Sequence, residues 1–202
     1  MSLLVFGLGN PGKRYELTLH NAGFEATDRM AAFLGGKTRK RCLRRYRSFS
    51  LDKDAVISVD GDSVSLPQDV LVVQPLTYMN HSGNISRYFQ LDGKMVAVVC
   101  DNMDLDLGMV RIRKVQSLST HKGIRSLQEN LPGVEFVGVF VGIGRPAEGV
   151  SVPDHVLSRL ADPLKEALFI QGVEKAASAL EELALGRDVT EVQLEFNKRK
   201  KQ

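Results

Sequence analysis

The sequence predicts an α/β fold, a mixed β-sheet with helices packed on both faces, in a single domain. Strand-like apolar runs alternate with stretches of helical periodicity along the chain. Several of the runs are apolar throughout rather than alternating, which is the pattern of strands covered on both faces. The 202 residues are 43% hydrophobic, enough for one core, and no linker, repeat or low-complexity segment divides them. A basic tail is expected from about residue 196.

The elements follow in order. Residues 2–7 read as a buried first strand. Residues 21–34 place Phe24, Met30, Ala31 and Phe33-Leu34 among polar positions, a helix stopped by Gly35-Gly36. Residues 43–66 read as short strands: a basic, aromatic one around Tyr46, then 55–59, a hairpin turn at Asp60-Gly61-Asp62, and 63–66. The apolar run 70–74 is a strand ended by Pro75. Residues 78–89 read as a helix with Ile85 and Phe89 one turn apart. Strands are expected at 95–100, 110–113 and 137–143. Helices are expected at 120–131 and at 163–185, the second ended by Gly186.

Composition excludes several classes. No run is long enough to span a membrane, and no charged start followed by an apolar stretch and cleavage site marks secretion. Cys42 and Cys100 are the two cysteines; they read as reduced thiols of a cytoplasmic protein, without the spacing of a zinc site. Net charge is only +3, but it is uneven. Lys37, Arg39, Lys40, Arg41, Arg44, Arg45 and Arg47 crowd one stretch. Arg111, Arg113 and Lys114 form another group, and Lys198-Arg199-Lys200-Lys201 closes the chain. Such polarisation suits a polyanion held against one face. For the tail alone a solvated end is the simpler reading, and Arg44 and Arg45 can also serve as charged guards of an edge strand.

The chemistry-bearing residues sit just past apolar strands. Gly7-Leu8-Gly9-Asn10-Pro11-Gly12 follows the first, Asn80 the 70–74 strand, and Asp101 the 95–100 strand; His20-Asn21 comes soon after the glycine turn. Carboxyl ends of parallel strands gather on one edge, where ligands bind, so these residues can converge. A histidine, an acid and two amides supply a base, its orienting group and neutral hydrogen-bond donors. The nucleophile elbow Gly-x-Ser-x-Gly is absent, which favours direct attack by water. Gly7-x-Gly9-x-x-Gly12 with Asp28 is also a dinucleotide fingerprint, but Asn10-Pro11-Gly12 reads as a turn that delays the helix, so no nucleotide cofactor is expected. Asp101, Asn102, Asp104 and Asp106 crowd one loop. Turn capping and a hard cation are the competing readings there, and Leu107-Gly108 ends the run before it matches a calcium loop. Asn10 and Asn80 can equally cap turns or helices. Asn21 is read as supporting the helix start, and His81 and His155 as surface residues. Tyr15 stacks on a terminal base or packs beside the cleft.

With these residues in place, the chain resembles the bacterial peptidyl-tRNA hydrolase family over nearly its full length. The matching pieces run in order. Gly7–Gly12 is followed by Tyr15, Thr18, His20-Asn21 and Gly23-Phe24. Next come Pro75, Thr77, Met79-Asn80 and Ser82-Gly83, and then Asp101, Asp104-Leu105, Gly108 and Arg111. His121, Gly123, Ser126, Gly142-Ile143-Gly144-Arg145-Pro146 and the stretch 152–157 complete the series. The resemblance implies hydrolysis of the ester joining peptide to the 3′ end of tRNA, by a monomer that needs no metal, no cofactor, no membrane and no obligate protein partner. It places the catalytic base on His20 and its acidic partner on Asp101. It places the peptide-binding and positioning amides on Asn10 and Asn80, with Tyr15 and Lys122 also at the substrate. The tRNA grip is expected from Arg44, Arg45, Arg111, Arg113 and Lys114.

The chain departs from the family pattern at Leu19, where an arginine is usual, and at Lys122, where an asparagine is usual. The usually glycine-rich segment before His121 is here Val115-Gln116-Ser117-Leu118-Ser119-Thr120, and Phe140-Val141 stands where an arginine often precedes Gly142. A second function therefore stays open, that of a noncatalytic RNA-binding or RNA-processing partner with the same fold.

Overall fold

A computed structural model describes residues 2–41 and 43–197. Cys42 and the basic run Lys198–Lys201 lie outside the described residues. The strands are β1 (Ser2–Gly7), β2 (Arg39–Arg41), β3 (Tyr46–Leu51), β4 (Val56–Val59), β5 (Asp62–Ser65), β6 (Asp69–Pro75), β7 (Lys94–Asn102), β8 (Val110–Val115) and β9 (Phe136–Gly142). The helices are α1 (Ala22–Phe33), α2 (Lys122–Asn130), α3 (Val152–Val156), α4 (Pro163–Ala184) and α5 (Val189–Phe196). Seven strands form one sheet in the order β2-β3-β6-β1-β7-β9-β8, and β4 and β5 form a separate hairpin. The four central strands β6, β1, β7 and β9 are parallel; β2, β3 and β8 run antiparallel to their neighbours at the two edges.

The central strands are apolar on both faces because both are covered. In β1, Leu3 and Val5 join a core with Ala22, Ala26 and Met30 of α1 and Val173, Ala176 and Leu180 of α4. Leu4 and Phe6 point the other way, to Met79, Ile85, Ile124 and Leu127. Alanines on α1 and α4 let the two helices approach closely on the first face. On α4, Asp162 accepts from the N–H of Leu164 at 2.9 Å, and Pro163 opens the first turn. Gly186, at φ 84°, ends the helix by donating to Leu183 O. The chain then continues into α5, and Asn197 donates to Ile112 O and accepts from Ile112 N on β8.

Two expectations need correction. The segment Met79–Tyr88 is not an α-helix but 3-10 turns broken at His81, whose φ and ψ are −121° and 15°. Ser82 Oγ turns back to Met79 O, and Gly83 packs where a Cβ would overlap Ser126 of α2. This tight contact with α2 decides the local shape over the helical spacing of Ile85 and Phe89. Asp101 lies inside β7 rather than in the loop after it, as β7 extends to Asn102 beside Gly142 of β9. The strand β2 and the helices α3 and α5 add to the expected elements.

Candidate active site

The glycine turn after β1 opens no helix. Lys13–Tyr15 and Leu19–Asn21 are single 3-10 turns, and α1 starts only at Ala22. That geometry removes the dinucleotide reading. Asp28, its proposed ribose acid, accepts from Thr38 and Gln74 and pairs with Arg47 at 3.5 Å.

Close backbone packing brings the separate segments together. A Cβ on Gly23 would overlap Val99 O and the backbone of Leu8, so α1 sits directly against the ends of β1 and β7. His20, just before α1, is thereby carried to Asp101. His20 Nδ1 lies 2.7 Å from Asp101 Oδ1, and His121 Nε2 lies 3.1 Å from the same oxygen. His121 is also the N-cap of α2, where its Nδ1 accepts from the N–H of Ile124. That bond leaves the proton on Nε2, which donates to Asp101. Asp101 therefore accepts two imidazole N–H bonds on one oxygen, and His20, donating through Nδ1, keeps Nε2 as an acceptor. Burial alone would push the Asp101 carboxyl up. The electrostatic attraction and hydrogen bond of the His121 imidazole, and then those of His20, outweigh it and hold the group well below the ordinary carboxylate range. The Asp101 side chain is 3% exposed against 12% for His20, so only the histidine has solvent access.

The ligand atoms of His20, Asp101 and His121 lie within 4.8 Å of one another, close enough in principle to hold a cation. They are directed at each other as hydrogen bonds, so a cation would have to displace both imidazole–carboxylate bonds. In the acidic loop, Asn102 Oδ1 accepts from Asp104 N, and Asp104 pairs with Arg145.

Asn10 is buried and held rigidly. Its backbone N–H donates to Asn21 Oδ1 at 2.7 Å, Asn21 Nδ2 donates to Asn10 O at 3.1 Å, and its own Oδ1 accepts from Met79 N at 2.9 Å. Asn21 makes no cap to α1, so its expected support of the helix start is replaced by this clamp. With its carbonyl engaged, the Asn10 amide can offer its NH2 to the cleft it lines. Asn80 lies at the exposed rim, its Nδ2 3.1 Å from His81 Nε2.

Asn10, Tyr15, His20, Asn80, Asp101, His121 and Lys122 all line one cleft of about 420 Å³. Lys122 is exposed at the first residue of α2. Tyr15 meets Tyr78 edge to face at 6.3 Å, and Val152, Pro153, Val156 and Leu157 of the α3 region form an apolar wall. Sequence reading missed Tyr78 and this wall as site elements. The start of α3 was legible in Ser151-Val152-Pro153-Asp154, where Ser151 Oγ caps Asp154 N and Pro153 lies in the first turn. His155, expected at the surface, is half-buried with Nε2 2.9 Å from Gly144 O.

Each departure from the family pattern has a place in the structure. Leu19 is 1% exposed in the core, and its N–H donates to Ser158 O. The segment before His121 is tied down by Gln128, which accepts from Ser119 N and donates to Ser117 O. Phe140 carries the Arg113 guanidinium 4.8 Å above its ring, so a cation from β8 covers that position.

The basic residues divide. Arg44 and Arg45 are exposed on the turn between β2 and β3, at one edge of the sheet. Arg47 turns inward to Asp28 and Phe24. Arg111, Arg113 and Lys114 lie on β8 at the other edge. Strand alternation puts Arg111 and Arg113 on the α2 face and Lys114 on the α4 face, where it pairs with Glu135 at 3.3 Å.

The peptidyl-tRNA hydrolase family model matches residues 4–202. The chain belongs to this family. It is 36% identical over 200 residues to the peptidyl-tRNA hydrolase of Bacillus subtilis, covering 96% of this chain and 98% of that one. It is 38% identical over 183 residues to that of Shouchella clausii, covering 88% and 91%. The crystal structure of peptidyl-tRNA hydrolase from Acinetobacter baumannii superposes with a TM-score of 0.78 at 27% identity, covering 97% of this chain and 94% of that one.

Proposed function

We propose that this protein hydrolyses the ester between peptide and tRNA in peptidyl-tRNA and so returns tRNA to translation. Membership of the family supports the reaction, and the Asp101–His20 pair at 2.7 Å carries the assignment of residues. Asp101 fixes the tautomer of His20 and steadies the imidazolium that forms when Nε2 takes a proton from water. The hydroxide so generated attacks the ester carbonyl, and the oxygen of the tetrahedral intermediate takes the negative charge. Asn10, with its carbonyl held by Met79 N, donates to that charge or to the peptide, and Asn80 donates from the rim. The intermediate collapses by breaking the bond to the ribose 3′ oxygen, which receives the proton from His20. Atoms and charge balance with water as the only co-substrate.

The apolar α3 wall and the Tyr15–Tyr78 pair suit the peptide side chains and the terminal base. Arg44, Arg45, Arg111, Arg113 and Lys114 are the phosphate contacts of this reading. It describes a monomer in the cytoplasm with no protein partner; among the described residues no helix is long and apolar enough to cross a membrane.

The deciding experiment is turnover of N-acetyl-aminoacyl-tRNA by the wild-type protein and by His20→Ala. Wild-type release of free tRNA, reduced by at least about a thousandfold in the variant at unchanged Tm, is expected. Near-normal turnover in the variant removes His20 from the chemistry. Tight tRNA binding without wild-type turnover selects the RNA-partner alternative instead.

A further inference from the structure

We propose that the groove between the β2–β3 edge and Tyr88 is a second tRNA-holding site, built to take adjacent backbone phosphates away from the ester cleft. The inference rests on tRNA being the polyanion this protein binds. The groove measures about 670 Å³ and is lined by Lys40, Arg41, Arg44, Tyr46, Tyr88 and Phe89 among others, with three cations and no carboxylate. The neighbouring Arg47, one residue past Tyr46, turns to the opposite face and meets Asp28. The groove cations have no such acidic partner in its lining.

Its cations are also pre-ordered. The guanidinium of Arg44 lies over the Tyr88 ring at 5.6 Å from its centroid, and Arg87, next to Tyr88 but outside the groove lining, lies at 5.1 Å with Nη2 donating to Tyr88 Oη at 3.2 Å. Arg41 Nε donates to Ser48 Oγ at 2.8 Å. Tyr88 is itself braced by Tyr46, with ring centroids 5.9 Å apart. Long cationic side chains ordinarily lose rotamer freedom on meeting a phosphate; here ring stacking removes much of that loss beforehand. The turn that presents Arg44 is held in an uncommon form. Leu43 at φ 64° and Arg45 at φ 53° both occupy the left-handed region without being glycine, and Leu43 is 99% exposed at the tip. Planar guanidinium forks recognise phosphate oxygens, contacts that carry no sequence information. The ligand is therefore phosphodiester backbone of any sequence.

Binding of deacylated tRNA, measured across a salt series, tests this without any ester present. Arg44→Ala and Arg41→Ala are each expected to weaken binding and to lower the slope of log affinity against log salt by about one. Tyr88→Leu changes no charge, yet is expected to weaken binding about fivefold by freeing Arg44, whereas Tyr88→Phe keeps the stack and most of the affinity. Wild-type affinity and slope in Arg44→Ala and Arg41→Ala would overturn the proposal, with no dependence on the folding of any Tyr88 variant. So would competition by poly-glutamate equal to that by tRNA, which would mark the groove as a site for acidic protein. Intact turnover beside an inert groove leaves the hydrolase reading standing. Groove-dependent tRNA binding without turnover supports the groove and removes the hydrolase reading.

Discussion

Asp101 does its work through one oxygen. Because both His20 and His121 donate to Oδ1, replacing the carboxylate by an amide removes a charge and leaves the two N–H donors competing for an uncharged acceptor. Asp101→Asn is therefore expected to lower kcat on N-acetyl-aminoacyl-tRNA on the order of 10²–10⁴-fold, with a smaller change in KM. A kcat within twofold of wild type would show that His20 needs no carboxylate partner. Lys122 raises a different question. It places a cation on the first residue of α2, the end of a helix that repels positive charge, and it stands at the cleft. Lys122→Asn supplies a neutral amide with a fixed donor and acceptor, and should raise turnover several-fold. Unchanged turnover and an unchanged pH profile would mean that Lys122 serves only solvent.

At the scale of elements, the approach of α1 to β1 and β7 is what delivers His20. Gly23→Ala pushes a methyl into Val99 O and Leu8, so α1 must move outward. A loss of about 1–3 kcal/mol in unfolding free energy is expected, together with a drop in kcat larger than the population of unfolded protein explains. Full stability with full activity would contradict the packing. The long helix α4 carries its own pH signature. Burial, and then the neighbouring charge of Glu182, pushes half-buried Glu181 up to about 7. A carboxyl raised in the folded state contributes stability below its unfolded value near 4.5, and that contribution is lost as pH rises through about 7. Glu181→Gln should accordingly raise Tm relative to wild type at pH 8 and change it little at pH 4.5. An equal shift at both pH values would mean that Glu181 ionises as an ordinary surface acid.

For the whole molecule, the two basic groups stand at opposite edges of one sheet. From β3 to β8 are five strand spacings, roughly 24 Å. Tyr46 pairs with Pro75 at the end of β6 and Arg111 with Phe140 near the end of β9, both toward the end that carries Asp101, whereas Arg113 and Lys114 pair with Gly138 and Val137 toward the start of β9. An acceptor arm laid across that end meets both edges. Arg44→Ala and Arg111→Ala should then weaken tRNA binding additively, within about 0.5 kcal/mol, because the sites are well separated. Affinity independent of salt in the wild type would remove phosphate contacts from both edges at once.

The continuous apolar runs made the central strands legible, because a strand covered on both faces has no polar positions to disguise it. The caps of α4 were equally local: Asp162, Pro163 and Gly186 need no distant partner to act. Strand-end position was enough to nominate Asn10, Asn80 and Asp101 and to set His20 beside them. The sequence could not reveal which second histidine reaches Asp101, because His121 arrives from α2 through packing against the Met79–Tyr88 segment. Nor could it show that Asn21 clamps Asn10, or that the helical spacing of 78–89 gives way to broken 3-10 turns; long-range contacts outweigh local preference in both. The basic stretch 37–47 reads as one patch, yet strand alternation and one tight turn send Arg47 to Asp28 and Arg44 to Tyr88. Local chemistry thus determined the fold class and nominated the strand-end amides and the His20–Asp101 pair, all of which depend on neighbours in sequence or on the edge where parallel strands end. Tertiary packing alone decided tautomers, partners and which face each cation serves, since those depend on distances between segments far apart in the chain.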